Sequence, residues 1–399
     1  MAGSGIMHAK RGIGSAPLRG RRVLVRVDFN VPLDGHGGVA DDRRIVEARP
    51  TLDHLRTSGA RTVVLSHLGR PGGKRDPRFS LRPVARRLGT LLGQPVPLAE
   101  DSVGMPALEA VSRLGNGDTV LLENLRFHPG EEANDPGFAA QLAQLGELFV
   151  EDAFGAVHRA HASTVGVPKR LPAFAGLLVE REVRALVPLL EGPERPYVVL
   201  VGGAKVADKL PFLASFLGRA DRLAIGGALA FPFLRARGAA LGATPVEAGV
   251  EGAVDEFLRR AEQSSTEVLL PSDLVVERPG VSAAGVEPAD RLSSDAVAKD
   301  IGPMSREAFS GAFDGSRTVF WNGPLGLAED PRFAAGTAEV LRRLGSVPGY
   351  HVAAGGDSAR VAEELGVLSA FGFVSTGGGA ALEFVQGLEL PGLSVLPDA

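Results

Sequence analysis

The sequence predicts an α/β protein of two doubly wound parallel-sheet (Rossmann-like) domains joined by a helix, and three observations lead there. The chain is 399 residues long, more than one ordinary core, with 44% hydrophobic residues to bury. Short β-branched apolar runs alternate with helical stretches, the rhythm of parallel sheets covered on both faces. Strand after strand ends on chemistry, and its kind changes halfway along the chain. In open parallel sheets ligands bind beyond the carboxyl ends of the strands. Two different edges therefore imply two different ligands.

The expected strands of the first half are Arg22–Val27, Thr62–Ser66, Thr119–Leu122 and Leu148–Val150. They lead into Asp28-Phe29-Asn30, Ser66-His67-Leu68-Gly69-Arg70, Glu123-Asn124-Leu125-Arg126 and Glu151-Asp152-Ala153-Phe154-Gly155. Those of the second half are Tyr197–Val201, Leu223–Ile225, Val268–Leu270, Thr318–Trp321, His351–Ala353 and Gly372–Ser375. Four of these lead into glycines: Gly202-Gly203-Ala204-Lys205, Gly226-Gly227, Gly355-Gly356-Asp357 and Gly377-Gly378-Gly379. The Thr318–Trp321 run leads to Gly323 through Asn322. Expected helices include Ile45–Ser58, Leu81–Leu92, Gly137–Leu145, Ala253–Gln263 and Arg332–Leu344.

Between the halves, Val183, Leu186, Val187 and Leu190 recur at helical spacing within Leu177–Leu190, and Gly192, Pro193 and Pro196 end the run. A helix joining two domains and a surface helix of the first domain both fit that periodicity. The resulting division is 1–176, a linking helix over 177–193, and 194–379, with 380–399 expected to pack back on the first domain. The lead-in to about Pro17, rich in Gly, Ala and Ser, reads as disordered. Its basic residues hint at a transit peptide, but no apolar or amphipathic segment follows.

Net charge is −4 and the pI about 6.1, which disfavours nucleic acid or an anionic membrane as the main partner. No cysteine is present, so disulfides and thiolate metal sites are excluded and a cytoplasmic setting is expected. No apolar run is long enough to span a bilayer.

Arg44, Arg70, Arg126 and Arg159 are spread over the first half, three of them at or just beyond strand ends, with His67 and His158 beside two of them. Guanidinium forks match phosphate and carboxylate oxygens. Singly each is more commonly a surface ion-pair partner; their recurrence on one edge points to a compact polyanion. Asp28 and Asn30 on that edge either bind a hydroxyl and orient the arginines or merely shape the turn before Pro32. In Val198–Lys209 a strand meets two glycines and a helix start, and the four-residue spacing of Lys205 and Lys209 puts both on one helical face. That is a cradle for a transferring phosphate, with a solvated lysine pair as the alternative. At Ala353–Ser358 glycines precede Asp357, where bare amides can hold phosphate and the carboxylate Mg²⁺. Ser375–Gly379 offers a further anion nest, or simply a tight turn. A dinucleotide fingerprint, a nucleophile elbow and metal-ligand spacing are all missing, which disfavours a dehydrogenase, a serine hydrolase and a metal-cluster enzyme. His36, His54, His128 and His351 carry no readable role, and Trp321 reads as core packing.

Taken in order, Arg26–Pro32 (RVDFNVP), Ser66–Pro71 (SHLGRP), Glu123–Phe127 (ENLRF), Asp152–His161 (DAFGAVHRAH), Gly202–Lys209 (GGAKVADK), Trp321–Pro324 (WNGP) and Ser375–Ala380 (STGGGA) resemble phosphoglycerate kinase. The match runs from about Arg21 to Leu396. The resemblance implies a glycolytic transferase with 3-phosphoglycerate on the first domain and Mg-ATP or Mg-ADP on the second, mostly monomeric, with direct in-line transfer on hinge closure. It implies that Asp28, Asn30, Arg44, His67, Arg70, Arg126 and Arg159 hold the triose. Gly203, Lys205, Lys209, Asn322 and Gly355 to Ser358 (with Gly356) would contact the nucleotide phosphates, and Asp357 the Mg²⁺. Gly226, Gly227, Gly302, Pro324 and Leu327 would contact the nucleoside, and Glu329 the ribose. Arg44, Lys205 and Lys209 would be catalytic. The departures from the family pattern, Ala228-Leu229, Ala354, Ser358 and Leu327-Ala328, all lie on the nucleotide side. The rival readings are a same-fold kinase for another small phospho-carboxylic acid and a non-catalytic nucleotide-binding regulator.

Overall fold

The computed structural model describes residues 10–399. The chain divides into two compact units, residues 1–184 with 388–399, and residues 185–387.

The first unit is built on strands β1 (Arg22–Arg26), β2 (Arg61–Leu65), β3 (Thr119–Leu121), β4 (Leu148–Glu151) and β5 (Ala173–Ala175), ordered β3-β2-β1-β4-β5. Every pairing is parallel. The strands read as unbroken apolar runs because both faces are covered: β4 is buried throughout, and β1 and β2 in all but their first residue. Val23 and Val25 of β1 share one core with Leu52 and Leu55 of the helix Arg43–Thr57 and Leu88 of the helix Arg82–Leu92. The Arg82–Leu92 helix starts with Pro83 in its first turn and stops at Gly93 in the left-handed region (φ 65°), which suits glycine. β5, only three residues after Pro172, lacked the length to be expected from the sequence.

The second unit comprises β6 (Tyr197–Val201), β7 (Arg222–Ile225), β8 (Glu267–Leu269), β9 (Asp273–Arg278), β10 (Val281–Pro288), β11 (Val297–Ile301), β12 (Thr318–Asn322), β13 (Tyr350–Ala354) and β14 (Phe373–Ser375). Six of them form a parallel sheet ordered β14-β13-β12-β6-β7-β8. The order reverses between β6 and β12, as it does between β1 and β4 in the first unit. These are the topological switch points where doubly wound sheets open a crevice. Trp321 is fully buried and stacks on Phe371 at 5.3 Å between centroids.

The structure adds an element the βαβα rhythm did not predict. β9, β10 and β11 make a separate antiparallel sheet, ordered β10-β9-β11, over its own small core of Leu274, Val276, Leu241 and Leu292. Its outer strand β10 is mostly exposed, so it shows no apolar run to read.

Two boundaries differ from expectation. Residues 1–9 of the expected disordered lead-in lie outside the described residues, but Lys10–Pro17 is ordered. The Lys10 ammonium pairs with Asp398 at 2.7 Å, the Arg11 amide donates to the Pro397 carbonyl at 2.9 Å, and Ile13 is fully buried. A lone buried isoleucine anchors a segment that composition alone reads as loose. The segment grouped with the first unit begins at Leu388 rather than 380, because the helix Gly379–Val385 buries Ala380, Ala381, Phe384 and Val385 before the turn at Gly387. Leu390, Leu393 and Leu396 bury the tail, and the Gly392 amide donates to the Val157 carbonyl at 2.8 Å. Among the described residues no helix is long and apolar enough to cross a membrane.

The helix Leu177–Leu190 starts against a buried acid. Asp152 is fully buried, and its Oδ1 accepts the Leu178 amide at 2.9 Å. Burial pushes this carboxyl up to about 8, against the pull of hydrogen bonds from Thr51 and the Leu178 and Val179 amides. A carboxyl raised from 3.8 to about 8 keeps its proton when folded while the unfolded chain releases it. It therefore lowers stability as pH rises through that window. Asp152→Asn should flatten the fall in thermal midpoint between about pH 5 and 8, whereas Asp152→Ala should cost about 1–3 kcal/mol by orphaning the Leu178 amide. An unchanged pH slope in Asp152→Asn would show that the acid is ionised in the folded chain.

Candidate functional site

At the carboxyl edge of the first sheet, Arg44 in the first turn of the helix Arg43–Thr57 reaches back to Asp28, Nη1 to Oδ2 at 2.7 Å. The other Asp28 oxygen accepts the Asn30 amide at 3.2 Å. Asn30 Oδ1 in turn accepts the Gly69 amide at 2.8 Å, and Arg126 Nη1 donates to the Gly69 carbonyl at 2.8 Å. The ends of β1, β2 and β3 are thus tied together by side chains that sequence reading selected. Asn124 holds the Arg126 turn, accepting the Arg126 amide at 3.0 Å and donating to the carbonyls of Leu68 and Phe79 at 2.7 and 2.9 Å. Glu123 receives the Ser80 hydroxyl and the Leu81 amide at 2.7 and 2.8 Å.

His67 is 6% exposed, with its Nδ1 at 3.0 Å from Arg26 Nη2. Burial, then the Arg26, Arg126 and Arg44 guanidinium groups and His161, hold it well below the usual imidazole range. His161 is pushed down to about 4, by burial first and then by Arg126, Arg26, Arg159 and His158. Both rings are therefore neutral near pH 7 in a field set by cations. Arg126 sits at 3.1 Å from Glu132, and Arg159 donates to His158 Nε2 at 3.3 Å. Arg70 is exposed and makes no hydrogen bond or ion pair with a described residue. The structure thus ties Asp28, Asn30, Arg44 and Arg126 into one bonded set. Arg159 enters through its field, and Arg70 stands at the edge.

Sequence reading missed Arg26, His161, Glu131 and Ser163. Arg26 is the signal that was available, a lone cation closing an apolar strand. It is 1% exposed. The others lie in loops and short turns, and only folding brings them under the edge.

On the second sheet the crevice between β6 and β12 is crowded backbone. A Cβ on Gly202 would sit 2.0 Å from the Pro324 carbonyl oxygen, and one on Gly323 2.5 Å from the Gly202 oxygen. Gly227, at φ 64°, has the Gly203 and Pro324 oxygens 3.0 Å from where its Cβ would be. A Cβ on Gly226 would meet Leu325 at 2.7 Å. Asn322 Oδ1 accepts from Lys209 Nζ, and its Nδ2 donates to the Ala354 carbonyl at 2.7 Å. The Ser358 hydroxyl accepts the Gly323 amide at 2.8 Å. Lys209 is pulled down to about 8 by burial, with Asp357 acting the other way. Lys209, Asn322, Gly323 and Ser358 therefore form one bonded group, and Gly355 (φ 106°) closes on Asn322.

Asp357 is exposed in the first turn of the helix Gly356–Glu364, with no hydrogen bond or ion pair to a described residue. Glu329 pairs with Arg360 at 2.9 Å, Leu327 is exposed, and the Gly302 amide donates to the Asp273 carbonyl at 2.9 Å before the helix Pro303–Gly311. Gly302, Leu327 and Glu329 make no bond to the Lys209–Asn322 group.

Two expectations about the lysine segment need correction. The helix begins at Val206 and Lys205 is its extended N-cap (φ −98°, ψ 108°), so Lys205 and Lys209 do not share a helical face. The free amides at that helix start are already engaged: Glu247 accepts from Val206 at 2.5 Å and from Ala207 at 3.3 Å. Lys205 itself is exposed and makes no bond to a described residue.

An arginine-rich edge on one doubly wound unit and a glycine-and-lysine crevice on another are the chemistry of an enzyme that handles phosphorylated ligands, and the class is a phosphotransferase. A model of the phosphoglycerate kinase family matches residues 13–388, and the chain belongs to that family. A phosphoglycerate kinase of Thermus thermophilus is 51% identical over 388 residues, 95% of this chain and 97% of that protein. That of Rubrobacter xylanophilus is 48% identical over 391 residues, 98% of each. Among solved structures, the phosphoglycerate kinase of Coxiella burnetii superposes with a TM-score of 0.87 at 35% identity, covering 97% of this chain and 98% of its own. The activity is that of a glycolytic kinase, reversible phosphoryl transfer between 1,3-bisphosphoglycerate with ADP and 3-phosphoglycerate with ATP.

The backbone contact across the β6/β12 crevice should be sensitive to a single methyl group. Gly202→Ala must push the Pro324 carbonyl aside, at a cost of about 2 kcal/mol or more in the second unit. Urea unfolding followed through the Trp321 fluorescence would measure it, and a wild-type midpoint would show that the crevice yields freely.

Proposed function

We propose that the edge around Asp28, Asn30, Arg44, His67, Arg70, Arg126 and Arg159 binds 3-phosphoglycerate. The Lys205, Lys209, Asn322 and Gly355–Ser358 edge is proposed to bind the phosphates of ATP or ADP. The observation that carries this reading is the surplus of positive charge on the first unit. Arg26, Arg44, Arg126 and Arg159 act on two neutral imidazoles, and Asp28 and Glu132 offset only Arg44 and Arg126 of the four. Such a field suits a ligand with both a carboxylate and a phosphate.

On the second unit, Gly203 has open space where a Cβ would stand and so leaves backbone bare for a ligand's close approach, and Lys209 offers its ammonium beside Asn322. Gly302, Pro324 and Leu327 are proposed for the nucleoside and Glu329 for the ribose, each on its place in the family motif. The donor set also fits Mg²⁺. Asp357 is a single unpaired, exposed carboxylate beside glycine amides, and Mg²⁺ characteristically takes one or two carboxylates with substrate phosphates and water. When held there by Asp357, the ion would neutralise charge on the nucleotide phosphates.

Phosphoryl transfer needs positioning and charge neutralisation rather than covalent work by the protein. The chemistry assigned to this chain is accordingly direct: the triose C1 carboxylate attacks the terminal phosphorus of ATP in line, the bond from that phosphorus to the ADP oxygen breaks as the acyl phosphate forms, ADP leaves, and Arg44, Lys205 and Lys209 balance the charge of the group in flight. Because each ligand is assigned to a different unit, transfer is proposed to require hinge closure, with water excluded on closing. One chain carries both edges and lacks cysteine, which suits monomeric, cytoplasmic operation.

A coupled assay with 3-phosphoglycerate, ATP and Mg²⁺ tests the reading, with GTP and metal-free arms. Arg44→Ala should lower kcat by about a hundredfold as a contact made to the transferring group. A change confined to KM would move Arg44 to ground-state binding. Asp357→Ala should raise the Mg²⁺ concentration needed for half-maximal rate by about tenfold or more while leaving the 3-phosphoglycerate KM in place. An unaltered Mg²⁺ requirement would remove Asp357 from the metal.

A further inference from the structure

Arg26 closes β1 with a guanidinium that is 1% exposed and bonded through each of its three nitrogens. Its Nε donates to Ser163 Oγ at 2.9 Å, Nη1 to the Val27 carbonyl, and Nη2 lies 3.0 Å from His67 Nδ1. The direction of each bond follows from the groups themselves. A guanidinium has five N–H donors and no acceptor, and it stays charged in proteins. His67 Nδ1 must therefore accept, and the ring proton of neutral His67 must sit on Nε2. Ser163 has one hydroxyl hydrogen, which goes to Glu131 Oε1 at 2.6 Å, so its oxygen is left to accept from Arg26. Glu131 Oε2 takes the Ser163 amide at 3.0 Å. Arg26 thus donates both ways, to His67 on one side and to Ser163 on the other, and Ser163 donates on to Glu131; all four side chains are buried.

We infer that Arg26 is a positioning residue that locks His67 as the neutral Nε2–H tautomer, making His67 a directed neutral hydrogen-bond donor to the triose substrate rather than a cationic contact. The inference rests on the reading of His67 as a substrate contact. Nε2 makes no hydrogen bond to any described residue, so its N–H is the one polar group of the ring left over for a ligand. An imidazolium at this position would set N–H against N–H beside a buried cation. The surrounding field acts in the same direction, since burial, Arg26, Arg126, Arg44 and His161 all hold the ring well below its ordinary range. Lysine at position 26 has no planar fork and cannot serve Ser163, Val27 and His67 at once. The cationic share of anion binding then falls to the arginines, and the imidazole supplies direction.

Long-range ¹H–¹⁵N spectra of the full chain with ¹⁵N-labelled histidine, assigned with His67→Gln, read the tautomer directly. The expected result is a bare Nδ1 and a protonated Nε2 that do not change between about pH 5.5 and 8. A protonated Nδ1, or a ring that titrates in this range, would overturn the lock. Addition of 3-phosphoglycerate should shift the Nε2 signal. If the tautomer is as inferred but the signal ignores 3-phosphoglycerate in an active enzyme, the substrate-contact reading fails instead, and the donor role with it.

In kinetics, Arg26→Met should free the ring, so that His67 populates both tautomers and titrates, and should raise the 3-phosphoglycerate KM about tenfold with the ATP KM unchanged. His67→Gln keeps an acceptor for Arg26 and a neutral donor for the ligand, and its rise in 3-phosphoglycerate KM should be the smaller of the two His67 substitutions. His67→Lys keeps only charge and should lose more than His67→Gln. The reverse order for the two His67 variants would make charge, not donor direction, the contribution of His67. Should Arg26→Met fail to fold, the wild-type spectrum and the His67 pair still decide.

Discussion

A charged guanidinium buried at the end of a central strand is the constraint on which the first unit depends. An ion removed from water costs several kcal/mol unless its donors are met. Arg26 meets three acceptors that come from three places in the chain: Val27 beside it, His67 at the end of β2, and Ser163 beyond β4. Satisfying one residue thus draws the loops after neighbouring strands into a single arrangement. Asp28, Asn30, Gly69 and Arg126 then extend that arrangement outward by hydrogen bonds of 2.7 to 3.2 Å. The edge proposed for the triose is thus held by bonds within the chain itself, which is what positioning chemistry requires.

The second unit solves a different problem with different means. Its crevice is made by leaving side chains out: at Gly202, Gly226, Gly227 and Gly323 the space of a Cβ is already taken by a carbonyl or by Leu325. Backbones packed that closely present their amides and carbonyls at fixed positions. Asn322 and Ser358 then tie the end of β12 to the end of β13 and the helix after it, and the half-buried Lys209 brings its ammonium onto Asn322. Glu247 at the start of the Val206–Ala214 helix changes the electrostatics of this edge. The positive end of that helix is balanced from within the chain, so the lysines rather than the helix carry the free positive charge there.

Much of this was legible in the sequence for identifiable reasons. Strands covered on both faces are forced to be apolar throughout, so β1, β2, β6 and β12 announce themselves within a residue or two of their ends. The helix Leu177–Leu190 was legible in its extent, because the Gly and Pro after it mark its end, but not in its face: of Val183, Leu186, Val187 and Leu190 only Leu186 is buried, and it packs inward with Leu178, Val179, Ala185 and Leu189. The exposed strand β10 and the three-residue β5 were not legible, since neither carries a periodic apolar signal. The ordering of Lys10–Pro17 was equally hidden, because one buried isoleucine and backbone pairing to the tail leave no trace in composition. Lys205 and Lys209 show the limit of spacing arguments: four residues apart means one face only if the helix has already begun.

By itself the sequence determined the two parallel sheets, their chemically distinct edges and the residue types at each, because burial and turn geometry act locally on neighbouring residues. Only the tertiary structure decided which of those residues meet. It set Arg26 against His67, Ser163 against Glu131, Glu247 on a helix 40 residues before it in the chain, and the antiparallel sheet beside the parallel one. The physical reason is that a buried polar group must find its partner wherever the fold supplies one. Hydrogen-bond direction, tautomer and pKa are therefore properties of the packed neighbourhood and not of the segment that carries the residue.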